Sequence, residues 1–265
     1  MNFETVNYDV QDGVALITLN RPEQRNAVNS VASRELPAIW QYFENDDSAL
    51  VAIVTGAGDK AFCTGADLVD LPDTTDDDSE STLQSIRWTS LQNQVWKPVI
   101  CAVNGMVVGG GLHFVADSDI VIAAENATFF DTHVKVGLVS GLEPVGLCRR
   151  MPIEAVLRMA LVGGDERMSA QRAYELGMVG EVVPAAELLI TARNLANKIK
   201  NNSPAALART KKAIWQSQEM GLHEGLENAW QLILEQNIHP DMKEGIAAFV
   251  ERRNPVWQLY SKDSS

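Results

Sequence analysis

The run Met106-Val107-Val108-Gly109-Gly110-Gly111-Leu112-His113 places three glycines between an apolar, strand-like stretch and the start of a helix, with an imidazole just inside that helix. Glycine has no Cβ, so its backbone can approach a ligand to contact distance. A helix start adds N–H groups without intrahelical partners and a partial positive charge. The combination suits an anion, either a phosphate or the oxyanion of a reacting carbonyl. A second glycine-containing loop, Lys60-Ala61-Phe62-Cys63-Thr64-Gly65-Ala66-Asp67-Leu68, follows an apolar run that ends at Val54-Thr55-Gly56. Two such loops can aim two N–H donors at one oxygen, and each donor is worth roughly 3–4 kcal/mol to an enolate or tetrahedral transition state.

The elements that must hold these loops are short β-branched runs at Val14–Leu19, Val51–Thr55, Val99–Val103 and Ile120–Ala123, each bounded by Gly, Pro, Asn or Asp. Helical patterns intervene at about 30–44, 82–95 and 111–117, an alternation that indicates an α/β architecture. The stretch Asp70–Glu80 is acidic and lacks apolar periodicity, so it is expected to be an exposed loop. After about residue 150 the pattern turns helical. Ser169 caps a short helix that stops at Gly177, and helices are expected over 185–200, 204–219, 222–236 and 241–252.

At 265 residues with 46% apolar content, the chain can bury a full core. Its formal net charge of −13 argues against nucleic acid and anionic membranes as partners. Cys63, Cys101 and Cys148 are odd in number and lack metal-ligand spacing, so reduced thiols in a cytoplasmic compartment are expected, with no metal site. No signal peptide is read at Met1-Asn2-Phe3-Glu4, and no apolar stretch reaches transmembrane length.

Several segments together resemble the enoyl-CoA hydratase/isomerase (crotonase) superfamily. They are Arg21-Pro22-Glu23-Gln24-Arg25-Asn26-Ala27, Ala61–Leu68, and Ala102-Val103-Asn104-Gly105 with the triple glycine; then Asp119–Ala123, Arg167-Met168-Ser169-Ala170 with Gly177-Met178-Val179, and Phe249-Val250-Glu251-Arg252-Arg253. They fall in the family's order over nearly the whole chain. The resemblance implies a spiral of ββα turns over residues 1–195 that carries an acyl-CoA site. A helical region over 196–265 would serve oligomer contacts, giving a homotrimer or a dimer of trimers. It further implies that a thioester carbonyl binds between the N–H groups of Ala66 and Gly110. Coenzyme A, as part of the substrate and with no separate cofactor, would lie near Arg25, Ala27, Lys60, Ala61, Asp67 and Leu68, with Arg252 added from the last helix. The lysine that often follows the first loop in hydratases is Val69 here.

The chain departs from the pattern at the reacting centre. Hydratases of the family carry two glutamates, one just after the triple glycine and one twenty residues later. Here those positions hold His113 and His133. Imidazole, with a reference pKa of about 6.5 against about 4.3 for glutamate, can move protons near neutral pH. Two imidazoles in one pocket resist double protonation, so one is expected to stay neutral. A base needs a partner to fix its tautomer. Glu143, in Ser140-Gly141-Leu142-Glu143-Pro144, is the first candidate, and Asp131 is the second. Cys63, Trp88, Trp96 and Met106 read as packing residues, and His223 and His239 as surface or interface residues. Gly141 stands where a dehalogenase-type aspartate nucleophile would be required.

Two activities follow. The first is an acyl-CoA hydratase or isomerase that works through an enolate, with His133 as proton shuttle and His113 on water or the distal acyl group. The second is a β-diketone or ring-opening C–C hydrolase that activates water with a His–carboxylate pair and is independent of coenzyme A.

Overall fold

A computed structural model describes residues 3–71 and 86–260. Strands β1 (Val6–Gln11) and β2 (Val14–Leu19) form an antiparallel hairpin. Asp12 and Gly13 turn it with φ of 52° and 77°, the left-handed pair that suits a right-twisted hairpin. Three strand pairs then alternate between two sheets. β3 (Val51–Gly56) leads to β4 (Ala61–Cys63), β5 (Val99–Val103) to β6 (Met106–Val108), and β7 (Ile120–Ala124) to β8 (Thr128–Phe130). With β9 (Met168–Ser169) and β10 (Glu181–Val183), they build a six-stranded sheet ordered β1-β2-β3-β5-β7-β10 and a four-stranded sheet ordered β4-β6-β8-β9. This is the crotonase-like α/β architecture.

The near-continuous apolar runs arise because the central strands are buried on both faces. Along β3, Ala52 and Val54 join the main core, whereas Val51 and Ile53 pack against a helix on the opposite face. Side chains that alternate across a strand require this division. The helices are α1 (Ser30–Asn45), α2 (Leu112–Asp117), α3 (Leu142–Leu147), α4 (Ile153–Val162), α5 (Ala170–Glu175), α6 (Leu188–Ile199), α7 (Pro204–Ser217), α8 (Leu222–Ile238) and α9 (Pro240–Glu251). α6 supplies Leu188, Ala192 and Ala196 to the face opposite the main core. Asn29 caps α1 by accepting the Ala32 N–H at 3.0 Å, and Ser169 caps α5 through the Arg172 N–H at 3.2 Å. α7 is fastened to the sheet where Trp215 Nε1 donates to Asp119 at 2.8 Å and Lys211 pairs with the same carboxylate at 2.9 Å.

Residues 86–95 are a turn, not the second half of a helix over 82–95. Side-chain amides take over the backbone there. Gln92 Oε1 accepts the N–H groups of Trp88 and Thr89, and Asn93 Nδ2 donates to the carbonyls of Arg87 and Thr89. Local bonds of this kind compete directly with the helical ladder. The remainder of that helix (82–85) and most of the acidic stretch (72–80) lie outside the described residues. Among the described residues, no helix is long and apolar enough to cross a membrane.

Candidate active site

β4, β6 and β8 run parallel, with Cys63 paired to Val107, and Val107 and Val108 paired to Phe129 and Phe130. Their C-terminal ends therefore open on one side, where ligands of parallel sheets gather. The loops leaving those ends carry Gly65 and Ala66, the triple glycine, and Asp131 with His133. The first two loops touch. Gly65 has φ of 80°, and a Cβ on it would lie 2.7 Å from the Gly110 nitrogen. A Cβ on Gly111 would overlap the Cys63 carbonyl oxygen. Glycine is thus a steric requirement at both positions.

Ala66 sits in a parallel bridge with Val28. Val28 donates to the Gly65 carbonyl and accepts from the Asp67 N–H, both at 2.8 Å. Since Val28 engages the residues on either side, the N–H of Ala66 itself points away from Val28. Gly110 lies in a single 3-10 turn, Gly109–Gly111, at the entrance to α2, where amides lack helical partners.

His113, on the first turn of α2, is 4% exposed. Its Nδ1 lies 3.5 Å from Gln92 Nε2, and its ring meets Trp88 edge-on with centroids 6.1 Å apart. Its Nε2 lies 3.4 Å from Glu143 Oε1, but no aligned hydrogen bond satisfies it. Glu143 is held in the first turn of α3 and is 6% exposed. His133 begins the 3-10 turn His133–Val136 and rests on the glycine loop, 3.2 Å from where a Cβ on Gly109 would be. Its Nε2 is 3.9 Å from the same Glu143 oxygen. The two imidazoles therefore flank one buried carboxylate.

Asp131, and not Glu143, fixes the His133 ring. The fully buried Asp131 carboxylate meets His133 Nδ1 at 3.0 and 3.1 Å and accepts the His133 backbone N–H at 2.8 Å. These bonds raise the His133 pKa above its ordinary value; burial opposes the rise and the charge of Glu143 assists it. Burial works to raise the Asp131 carboxyl, but the bonds from the His133 ring and backbone outweigh it and hold Asp131 below the usual range.

The remaining sequence candidates fall in three places. Arg25 and Ala27 lie in the connection between β2 and α1, and Lys60 and Ala61 at the entry to β4; Asn26 ties the two together, its Nδ2 donating to the carbonyls of Ala57 and Ala61 at 2.9 Å. Arg25 and Lys60 are exposed. Asp67 is already engaged by Arg21 at 2.9 Å, while Leu68 is 64% exposed. Arg252 stands on a different element, closing α9 with φ of 55°. Cys63 is fully buried in the main core, and burial pushes its thiol up to about 12, which disqualifies it as a nucleophile. Among the described residues, no group of three or more His, Cys, Asp or Glu side chains is arranged to hold a metal ion. Sequence reasoning passed over Gln92 and Asn26. Asn26 carried one usable signal, an asparagine in a turn where φ reaches 56°.

A family model described as enoyl-CoA hydratase/isomerase matches residues 9–259. The chain belongs to the enoyl-CoA hydratase/isomerase family. It is 36% identical over 257 residues to the (E)-benzylidenesuccinyl-CoA hydratase of Thauera aromatica, covering 96% of this chain and 98% of that one. It is 32% identical over 262 residues to the short-chain-enoyl-CoA hydratase of Clostridium acetobutylicum, covering 96% and 97%. A crystal structure of an enoyl-CoA hydratase/isomerase from Mycobacterium paratuberculosis superposes with a TM-score of 0.89 at 43% identity, covering 98% of this chain and all of that one. As a family member the chain is an enzyme of acyl-CoA metabolism.

Proposed function

We propose that this crotonase-family enzyme adds water to, or removes it from, an acyl-CoA thioester. Its thioester oxygen lies between the N–H groups of Ala66 and Gly110, and His133 moves a proton at the α-carbon. The observation that carries this reading is the contact of the two glycine loops beside a histidine whose tautomer is fixed. With Nδ1 bound to Asp131, Nε2 is the working nitrogen, 3.9 Å from Glu143 Oε1 on a ring that rests beside Gly109. An enolate formed on the thioester would be stabilised by both amides while His133 returns the proton. Arg25 and Lys60, exposed beside the first loop, are assigned to the phosphates of coenzyme A, with the neighbouring Ala27, Ala61, Asp67 and Leu68 shaping that loop and Arg252 contributing from α9.

The Asp131–His133 dyad also supports the second reading, hydrolysis of a C–C bond beside a ketone, because such a pair activates water in the same way. Residues 1–195 are assigned to the spiral core and 196–265 to oligomer contacts in a homotrimer or dimer of trimers. Support for this assignment comes from the apolar side chains of Leu222, Ile238 and Phe249, which are 82%, 86% and 86% exposed on α8 and α9. A cytoplasmic setting agrees with three free cysteines.

The test is turnover of a panel of enoyl-, 3-hydroxyacyl- and 3-oxoacyl-CoAs, with mass spectrometry of the products. Interconversion of enoyl and hydroxyacyl thioesters is expected, and Gly110→Pro, which removes one donor, should abolish it. Failure of every acyl-CoA to bind or react refutes the proposal, and cleavage of a CoA-free diketone would put the second reading in its place.

A further inference from the structure

Gln92 belongs to neither glycine loop, yet its amide can be oriented without ambiguity. Its Oε1 accepts two backbone donors, the N–H of Trp88 at 2.9 Å and the N–H of Thr89 at 3.1 Å. Flipping the amide would set its NH2 against both donors. Its NH2 therefore faces outward, 3.5 Å from His113 Nδ1. An NH2 group only donates, so Nδ1 must accept, and in the neutral ring the single proton sits on Nε2.

We infer that Gln92 is a positioning residue that fixes His113 as the Nε2–H tautomer, turning a buried N–H donor toward Glu143. That donor is the His113 nitrogen left without an aligned hydrogen bond, 3.4 Å from Glu143 Oε1. Trp88 holds the ring edge-on and is itself fixed, its Nε1 donating to Ser33 Oγ at 3.1 Å and its carbonyl accepting from Trp40 Nε1 at 2.7 Å.

His113 Nε2 is closed to solvent as it stands, and the donor pattern selects what could come between it and Glu143. His113 Nε2–H donates, the Glu143 carboxylate accepts, and His133 Nε2 lies 3.9 Å from the same oxygen. Water or a hydroxyl can accept from the first and donate to the second at once. A substrate carbonyl cannot donate, and an ammonium group cannot accept. An opening between these groups would thus take the oxygen that enters or leaves as water, which deepens the acyl-CoA reading on which it rests and disfavours simple double-bond migration. The step balances without a further reactant. Water oxygen bonds to the β-carbon, and the double-bond electron pair moves through the α-carbon onto the thioester oxygen as an enolate. The proton lost by water passes to His133 Nε2 and then to the α-carbon.

Gln92→Glu tests this with little change in shape, since one carboxylate oxygen can keep the Trp88 and Thr89 amides while the other presents an acceptor to Nδ1. Nitrogen NMR of 15N-histidine-labelled protein, at a pH where the ring is neutral, should find His113 protonated on Nε2 in the wild type and on Nδ1 in the variant. Hydration of a reactive enoyl-CoA should fall by about tenfold or more in kcat with KM little changed. A wild-type ring protonated on Nδ1, or a proton that stays on Nε2 in the variant, overturns the inference, as does a variant with the moved proton and undiminished kcat. Should the wild type show the expected tautomer but turn over no acyl-CoA, the Gln92 assignment stands and the acyl-CoA reading fails.

Discussion

Asp131→Asn removes one charge from the site and leaves its shape. In the native chain the fully buried carboxylate uses both oxygens on His133 Nδ1, at 3.0 and 3.1 Å, and one of them on the His133 N–H at 2.8 Å. An asparagine keeps one acceptor and turns an NH2 toward the other contact. A hydrogen bond to a charged group contributes about 1.5–3 kcal/mol and a neutral one about 1 kcal/mol, so the held, protonated ring should lose roughly 1–2 kcal/mol. If that holding persists in the transition state, kcat falls by roughly five- to thirtyfold. The pKa consequence has a definite sign. Asp131 is the main group that lifts His133, so the limb of the pH–rate profile governed by His133 must move to lower pH in the variant. The assay is kcat and KM against pH with the most reactive enoyl-CoA of the panel, with circular dichroism to establish folding. A folded variant with native kcat and an unmoved profile would refute the role given to Asp131.

Three further outcomes are expected. His133→Ala should lower kcat by roughly 10²–10⁴-fold while acyl-CoA affinity changes little, and native turnover would exclude His133 as the proton carrier. Gly111→Ala, whose Cβ would overlap the Cys63 carbonyl oxygen, should cost roughly 1–3 kcal/mol in urea unfolding, so an unshifted midpoint would contradict the close approach of the loops. The dyad should also stabilise the fold over a limited pH range. The raised His133 contributes fully below about pH 6.5 and loses that contribution as pH rises through its folded value. The lowered Asp131 contributes above about pH 4 and loses its share as pH falls through its own folded value. The stability difference between wild type and Asp131→Asn should therefore be largest at mildly acidic pH and shrink toward alkaline pH; a difference independent of pH would be inconsistent with this linkage.

The strands that build the six-stranded sheet were legible because burial on both faces leaves uninterrupted apolar runs, as along Val51–Gly56 and Val99–Val103. The C-terminal helices were legible through their caps and period. The four-stranded sheet was not, since β4, β6 and β8 have three residues each and carry no readable alternation. Yet those strands bring the glycine loops together, so the sequence alone offered the donors but not their meeting. The partner of His133 was only partly legible, with Asp131 placed second to Glu143. Spacing along a strand sets Asp131 and His133 on one face, but the chain leaves β8 before Asp131 and curls into a 3-10 turn that folds the ring back onto the carboxylate. Gln92 had no signal at all, because its role depends on a turn that replaces an expected helix.

The contact between Gly65 and Gly110 has a consequence for how such an enzyme can diversify. Both proposed donors belong to the main chain, so no ordinary codon change short of proline can delete either one. On that proposal the cradle for the carbonyl is inherited with the backbone trace, whereas the groups at 113, 133 and 143 proposed to handle protons and water are side chains open to replacement. A fold arranged this way can exchange carboxylates for imidazoles at its reacting centre while its grip on the activated oxygen stays the same.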